Sequence, residues 1–345
     1  MIYLDSAATS TPLPCAREAF LNAPFGNPSS EHAAGQAARD ALEHAREKIA
    51  SLVGADADCV YFFSTATEAI ATALNSAWLH SYDFLSSPFE HHAVSENIMR
   101  PLSIDAAPGN VLCQMHSNNE VGNILPYPSD KLRKRDLFLC DATSSIGHVP
   151  VQFKGMDALV ADAIKFGGVP GAAFLVVSKR FPFNQPLIRG GGQERGMRSG
   201  TENVPAICAM AAALEWQTEH MEENTKHLAA LRQMLFQSLS RIPDHKWNTP
   251  FKKPCLPHIL NISFDGVDAH ALALLLSKEG VMVSPGAACS NGLHEPSHVI
   301  MAMFHDEARA RSAIRISFSH QNTADEIVQA SQKIAEAVSY LRSLS

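Results

Sequence analysis

The chain reads as an α/β protein built on a mostly parallel sheet, and three observations predict it. Short apolar runs with strand character recur at residues 59–63, 111–113, 137–140, 159–160 and 172–177. Stretches with helical spacing lie among them, the alternation that gives parallel strands covered by helices on both faces. The length of 345 residues allows a large core and a second lobe.

Taken in order, residues 34–53 set Ala, Leu, Ile and Val at helical spacing, and Gly54 can end that helix. The buried run at 59–63 leads into Ser64-Thr-Ala-Thr67-Glu and then an alanine-rich helix over 69–78. The segment 203–240 is long, helical and charged on one side, and it leads out of the first domain near residue 223. Strands at 259–264, 281–283 and 314–318, a helix over 268–277 and a last helix from Thr323 then make a smaller α+β lobe.

Composition excludes several classes. Hydrophobic residues make up 46% and charged residues 18%, a globular balance. The net charge of −7 offers no general attraction for nucleic acid or an anionic membrane, so direct nucleic-acid binding is not expected. Met1-Ile-Tyr-Leu-Asp5 has no basic region or apolar core of a secretory leader, and no apolar run nears the ~20 residues of a membrane span. The seven cysteines are scattered without a C-x-x-C pair, which argues against zinc or a disulfide framework and fits a reducing cytoplasm.

Five places have chemistry in reach, each with a bland alternative. Ala66 and Thr67, with Ser64, stand at a helix start, where backbone N–H groups can hold a phosphate, though Ser and Thr are also common caps. Asp141 ends an apolar strand, where α/β sheets bind ligands and an acid can pair with a protonated ring nitrogen; it can equally cap the next loop. Lys165 stands between a strand and Phe166-Gly-Gly-Val-Pro-Gly171 and can form a Schiff base if its pKa is lowered; most lysines are merely solvated. His91, in Glu90-His-His-Ala-Val94, can stack on a ring and move protons, or be an ordinary loop histidine. Cys289 lies in Ser284-Pro-Gly-Ala-Ala-Cys-Ser-Asn-Gly292, a small-residue loop open enough for a nucleophile, where a bland surface thiol is the alternative.

Together with Tyr3-Leu-Asp-Ser-Ala-Ala-Thr9, Phe25-Gly-Asn-Pro-Ser-Ser30, His116-Ser-Asn118-Asn-Glu-Val-Gly122, Gly190-Gly-Gly-Gln-Glu-Arg-Gly-Met-Arg-Ser-Gly-Thr201 and Ile314-Arg315-Ile-Ser, these residues extend a pattern along nearly the whole chain. The chain so read resembles the NifS/IscS-type cysteine desulfurases, in the class V aminotransferase group of fold-type I pyridoxal-phosphate enzymes. The resemblance implies a seven-stranded, mostly parallel sheet in a large domain over 12–223. A small domain from 1–11 and 224–345 would carry the Cys289 loop. It implies pyridoxal 5'-phosphate held covalently by Lys165, with His91 stacked on the ring and Asp141 on its nitrogen. Asn118 and Ser144 would lie by the ring hydroxyl, Ala66 and Thr67 at the phosphate, and Thr201 at the phosphate of a neighbouring subunit, hence a homodimer. Arg315, with Asn118, would bind the carboxylate of L-cysteine. Cys289 would take the sulfur as a persulfide, leaving L-alanine, and pass it to an acceptor protein.

The pattern is broken at three positions. Asp162 and Ile164 stand where the family commonly has Ser-x-His before the lysine, and Ser144 replaces a glutamine. Losing two phosphate donors predicts weak cofactor retention, and repulsion predicts that Asp162 points away from the phosphate. The segment between His91 and Asn118 is also short, so a strand or helix is expected to be missing there. The competing readings are another class V reaction (a cystine or selenocysteine lyase or an aminotransferase), which does not need Cys289, and a non-catalytic sulfur-transfer scaffold, which needs none of these residues.

Overall fold

The computed structural model describes residues 1–98, 108–130, 132–286 and 295–344. The chain opens with β1 (Ile2–Tyr3), α1 (Pro14–Asn22), α2 (Ala33–Val53), β2 (Val60–Phe63), α3 (Ala66–Leu79), β3 (Asp83–Ser86) and α4 (His92–Ile98). There follow β4 (Asn110–Met115), β5 (Leu137–Asp141), β6 (Ala158–Asp162), β7 (Ala173–Val177), α5 (Val204–Glu219) and α6 (Met221–Leu239). The last part comprises β8 (His245–Trp247), β9 (Ile259–Phe264), α7 (Ala269–Lys278), β10 (Val281–Met282), β11 (Ser284–Pro285), α8 (His298–Phe304), α9 (Glu307–Arg311), β12 (Ala313–Ser317) and α10 (Ala324–Ser343). The stretch 203–240 is two helices rather than one, parted at His220.

Two compact units form. The larger comprises Thr11–His116 and Pro126–His220, and the smaller Met1–Ser10, Ser117–Leu125 and Met221–Ser345. Residues 117–125, which lie inside the expected 12–223 domain, thus group with the smaller unit.

The larger unit holds a six-stranded sheet in the order β2-β7-β6-β5-β4-β3; the expected seventh strand is not among the described residues. β3, β4, β5 and β6 pair in parallel, while β7 is antiparallel to both β6 and β2. β2 therefore runs with β6, and β7 alone is reversed. Every residue of β5, β6 and β7 is buried, because helices cover both faces. Leu42, Ile49, Phe138, Phe174 and Met210 belong to one cluster, and Ile70, Leu74, Leu139, Val160 and Leu175 to another. The helix α2 ends as its sequence predicts: Gly54 takes φ 69°, a left-handed conformation that suits glycine.

The smaller unit has an antiparallel sheet, β11-β12-β9-β8, and a parallel pair of β1 with β10. Its core gathers Leu4, Leu235, Leu260, Ile262, Ile316 and Ile334. Thr323 and Glu326 form a reciprocal capping box that starts α10.

Candidate active site

The direction of the strands determines which residues share one edge of the larger unit. β2 through β6, apart from the reversed β7, send their carboxyl ends the same way. The start of α3, the Glu90–His91 loop, His116, Asp141 and the Lys165 turn all follow such ends. Ligands of α/β sheets bind at this edge.

Asp141 is the last residue of β5 and is 7% exposed. Its Oδ1 accepts the Thr143 N–H at 2.9 Å, whereas the buried Thr143 Oγ1 has no partner among the described residues. Lys165 ends the 3-10 turn that leaves the neighbouring strand β6. Two contacts fix that turn through its backbone: His148 Nε2 donates to the Lys165 carbonyl at 2.9 Å, and Gln217 of α5 donates to the Phe166 carbonyl at 3.1 Å. Gly147, with φ 79°, lets the two loops close; a Cβ there would stand 2.9 Å from Cβ of Phe166. Ser144 lies half-buried in the loop after Asp141.

His91 accepts the Ala93 N–H on Nδ1 at 3.0 Å at the start of α4. Its neighbour Glu90 is 1% exposed, with Oε1 accepting from the Ser87 hydroxyl at 2.8 Å and Oε2 from the Met115 N–H at 2.7 Å. Burial pushes this carboxyl up to about 7; the Ser87 bond opposes the shift and the charge of Asp141 adds to it. His116 donates its backbone N–H to the Asp141 carbonyl at 2.8 Å. Its buried ring Nδ1 has no partner among the described residues, and burial lowers its pKa.

The start of α3 departs from expectation. Asp162 does not point away: its Oδ2 accepts the Ala66 N–H at 2.9 Å, and its Oδ1 the Ile164 N–H at 3.2 Å. Repulsion from a phosphate was the wrong guide, because free helix N–H groups attract the chain's own carboxylate just as well. Burial raises the Asp162 pKa, while these two donors and the charge of Lys165 hold it down. Thr65 accepts from the Glu68 N–H, and Glu68 accepts from the Ser64 N–H. Arg198 in turn grips both Glu68 and Ser64, tying the 190–201 segment to this helix start. Thr67 is exposed, and its N–H has no partner among the described residues. Thr201 is exposed ahead of α5.

The other expected residues belong to the smaller unit. Arg315, central in β12 and 2% exposed, donates from Nη1 to the Asn119 carbonyl at 2.9 Å and from Nη2 to Asp5 at 3.0 Å. Its buried Nε has no partner among the described residues. Asn118 folds its own turn, with Oδ1 accepting the N–H groups of Glu120 and Val121. Cys289 lies outside the described residues.

Sequence reasoning missed His148, Gln217, Asp5 and Arg198 as supports. The first two act on carbonyls of a distant loop, and no local spacing signals that.

An α/β sheet whose carboxyl edge carries a lysine, a buried aspartate, a histidine and a helix start fits an enzyme of the aminotransferase type. The profile of the aminotransferase class-V family matches residues 2–100 and 104–329. A cysteine desulfurase of Cereibacter sphaeroides is 37% identical, with 100% of this chain and 97% of that one aligned. The cysteine desulfurase IscS of Dictyoglomus turgidum is 34% identical over 100% of this chain and 96% of its own. A NifS-like protein of known structure superposes with a TM-score of 0.88 at 32% identity, covering 98% of this chain and 99% of the other. The chain belongs to the cysteine desulfurases of the class V aminotransferase family. Among the described residues, no helix is long and apolar enough to cross a membrane.

Proposed function

We propose that the chain takes sulfur from L-cysteine with the help of pyridoxal 5'-phosphate, forms L-alanine, and carries the sulfur as a Cys289 persulfide to an acceptor protein. One observation carries this reading: Lys165 and Asp141 stand at the carboxyl ends of the adjacent parallel strands β6 and β5. An amine and a buried carboxylate so set suit the aldehyde and the ring nitrogen of one cofactor. The orphaned Thr143 hydroxyl beside Asp141 is a further polar atom for a ligand to satisfy. The phosphate end fits less well, since Asp162 already uses one helix N–H.

In this reading Lys165 holds the cofactor covalently, Asp141 keeps the ring nitrogen protonated, and His91 lies on the ring. Asn118 and Ser144 serve the ring hydroxyl, while Thr67 and the Thr201 of a second copy in a homodimer serve the phosphate, the Ala66 N–H being taken by Asp162. The cofactor supplies an electron sink that makes the substrate Cα proton removable. Arg315 binds the substrate carboxylate, for which its unpartnered Nε is a ready donor, and Asn118 assists. The Lys165 amine moves the Cα proton, with His91 assisting. The Cys289 thiolate then attacks the substrate sulfur. A sulfur–sulfur bond forms as the substrate Cβ–S bond breaks, its electron pair stays on carbon, and a proton there completes alanine. A reducing compartment such as the cytoplasm suits a thiol with this task.

Incubation with L-cysteine followed by mass spectrometry tests the reading. The intact chain should gain one sulfur on Cys289, and Cys289→Ser should lose sulfide release while retaining the yellow absorbance of the lysine-bound cofactor. Undiminished sulfide release by Cys289→Ser would instead favour a simple lyase.

A further inference from the structure

The start of α3 is closed by carboxylates of the chain itself. Asp162, 6% exposed at the end of β6, spends one oxygen on the Ala66 N–H and the other on the Ile164 N–H. Glu68 takes the Ser64 N–H, and Thr65 takes that of Glu68. Of the backbone donors from Ser64 to Glu68, those of Thr65 and Thr67 have no partner among the described residues and remain for an incoming anion, and the Thr67 side chain is exposed. A helix start favours one negative charge, and here a fixed, nearly buried carboxylate already supplies it.

We infer that Asp162 is a specificity-determining residue for the cofactor: its carboxylate stands in for the phosphate at the start of α3, so the site discriminates poorly between pyridoxal 5'-phosphate and unphosphorylated pyridoxal. The inference rests on the cofactor proposed above and concerns only its phosphate end. Two consequences follow from the geometry. The phosphate cannot take the Ala66 N–H unless Asp162 gives it up. A phosphate that settles on the remaining donors lies close to a second anion, whose repulsion at that range weakens binding by about tenfold or more. Lys165 offsets part of this charge and Asp141 adds to it, but both act equally on wild type and on any variant at position 162. The ring end, set by Lys165 and Asp141, is common to both compounds, so any effect of the exchange there cancels in the ratio of their affinities.

Asp162→Asn removes the charge while its amide oxygen still accepts the Ala66 N–H; the bond to the Ile164 N–H is lost, an effect common to both compounds. Dissociation constants for pyridoxal 5'-phosphate and for pyridoxal are measured by absorbance during dialysis, on wild type and variant. The expected result is that the affinity of the variant for pyridoxal 5'-phosphate relative to pyridoxal rises about tenfold. Asp162→Ser should shift the ratio the same way, which covers poor folding of the first variant. Inorganic phosphate should raise the thermal midpoint of the apo-variant and leave that of the wild type unmoved. An unchanged ratio, with both compounds binding, overturns the role of Asp162 and leaves the proposed function intact. Failure of both compounds to bind either protein overturns the two together.

Discussion

Glu90 shows how much one side chain can be altered by its surroundings. Its folded pKa of about 7 lies above the ordinary carboxyl value of 4.5, because burial penalises the charged form. The protonated group therefore favours the folded state in full below about pH 4.5, and that contribution disappears as pH rises through 7. Glu90→Gln keeps an acceptor for Met115 and a group that pairs with Ser87, but cannot titrate. Relative to wild type, the variant should gain roughly 2–4 kcal/mol between pH 5 and pH 8, measured by denaturant unfolding of the apo-protein. A gap that stays constant with pH would mean the carboxyl ionises normally. At this scale the placement of Lys165, Asp141 and His91 at or after strand ends was legible, since strand-like runs precede them. The contact of Asp162 was not legible, because its partner, the Ala66 N–H, is distant in sequence. His148 and Gln217 left no trace, because they bind carbonyls that any residue could supply.

At the scale of elements, α2 ties the large sheet to the 190–201 segment through one buried pair. Arg46 of α2 and Glu194 meet at 2.8 Å with side chains 4% and 1% exposed, and Glu194 also accepts the Phe62 N–H of β2. Arg46→Met should cost about 3–5 kcal/mol, because it leaves a buried carboxylate unpaired. Adding Glu194→Gln, which retains the acceptor for Phe62 without the charge, should restore a large part of the loss in a double-mutant cycle. Simple additivity of the two changes would show that they do not act as a pair. The elements themselves were largely readable from periodicity and caps, as Gly54 and Thr323 illustrate. The reversal of β7 was not, since an apolar run carries no sign of direction. The break of 203–240 at His220 was equally silent, as no glycine or proline marks it.

Over the whole molecule, the chain's two ends share one unit. Ile2 pairs with Val281, and Leu4, fully buried, joins the core with α6 and α10 residues. Leu4→Ala should therefore cost about 2–5 kcal/mol by denaturant unfolding, as a deep core truncation does. A fusion ahead of Met1, which is 91% exposed, should leave stability unchanged; equal effects of the two would contradict the burial of this short strand. The membership of 117–125 in the smaller unit was not legible in the sequence, because grouping across such separations depends on tertiary packing rather than on local pattern. The same pairing has a consequence for the nascent chain. The first strand emerges from the ribosome long before the residues near 281 exist. At about 5–20 residues per second it waits roughly 15–60 s for its neighbour. During that interval Ile2 and Leu4 are a sticky apolar segment in search of a surface, a natural substrate for whatever shields emerging polypeptides.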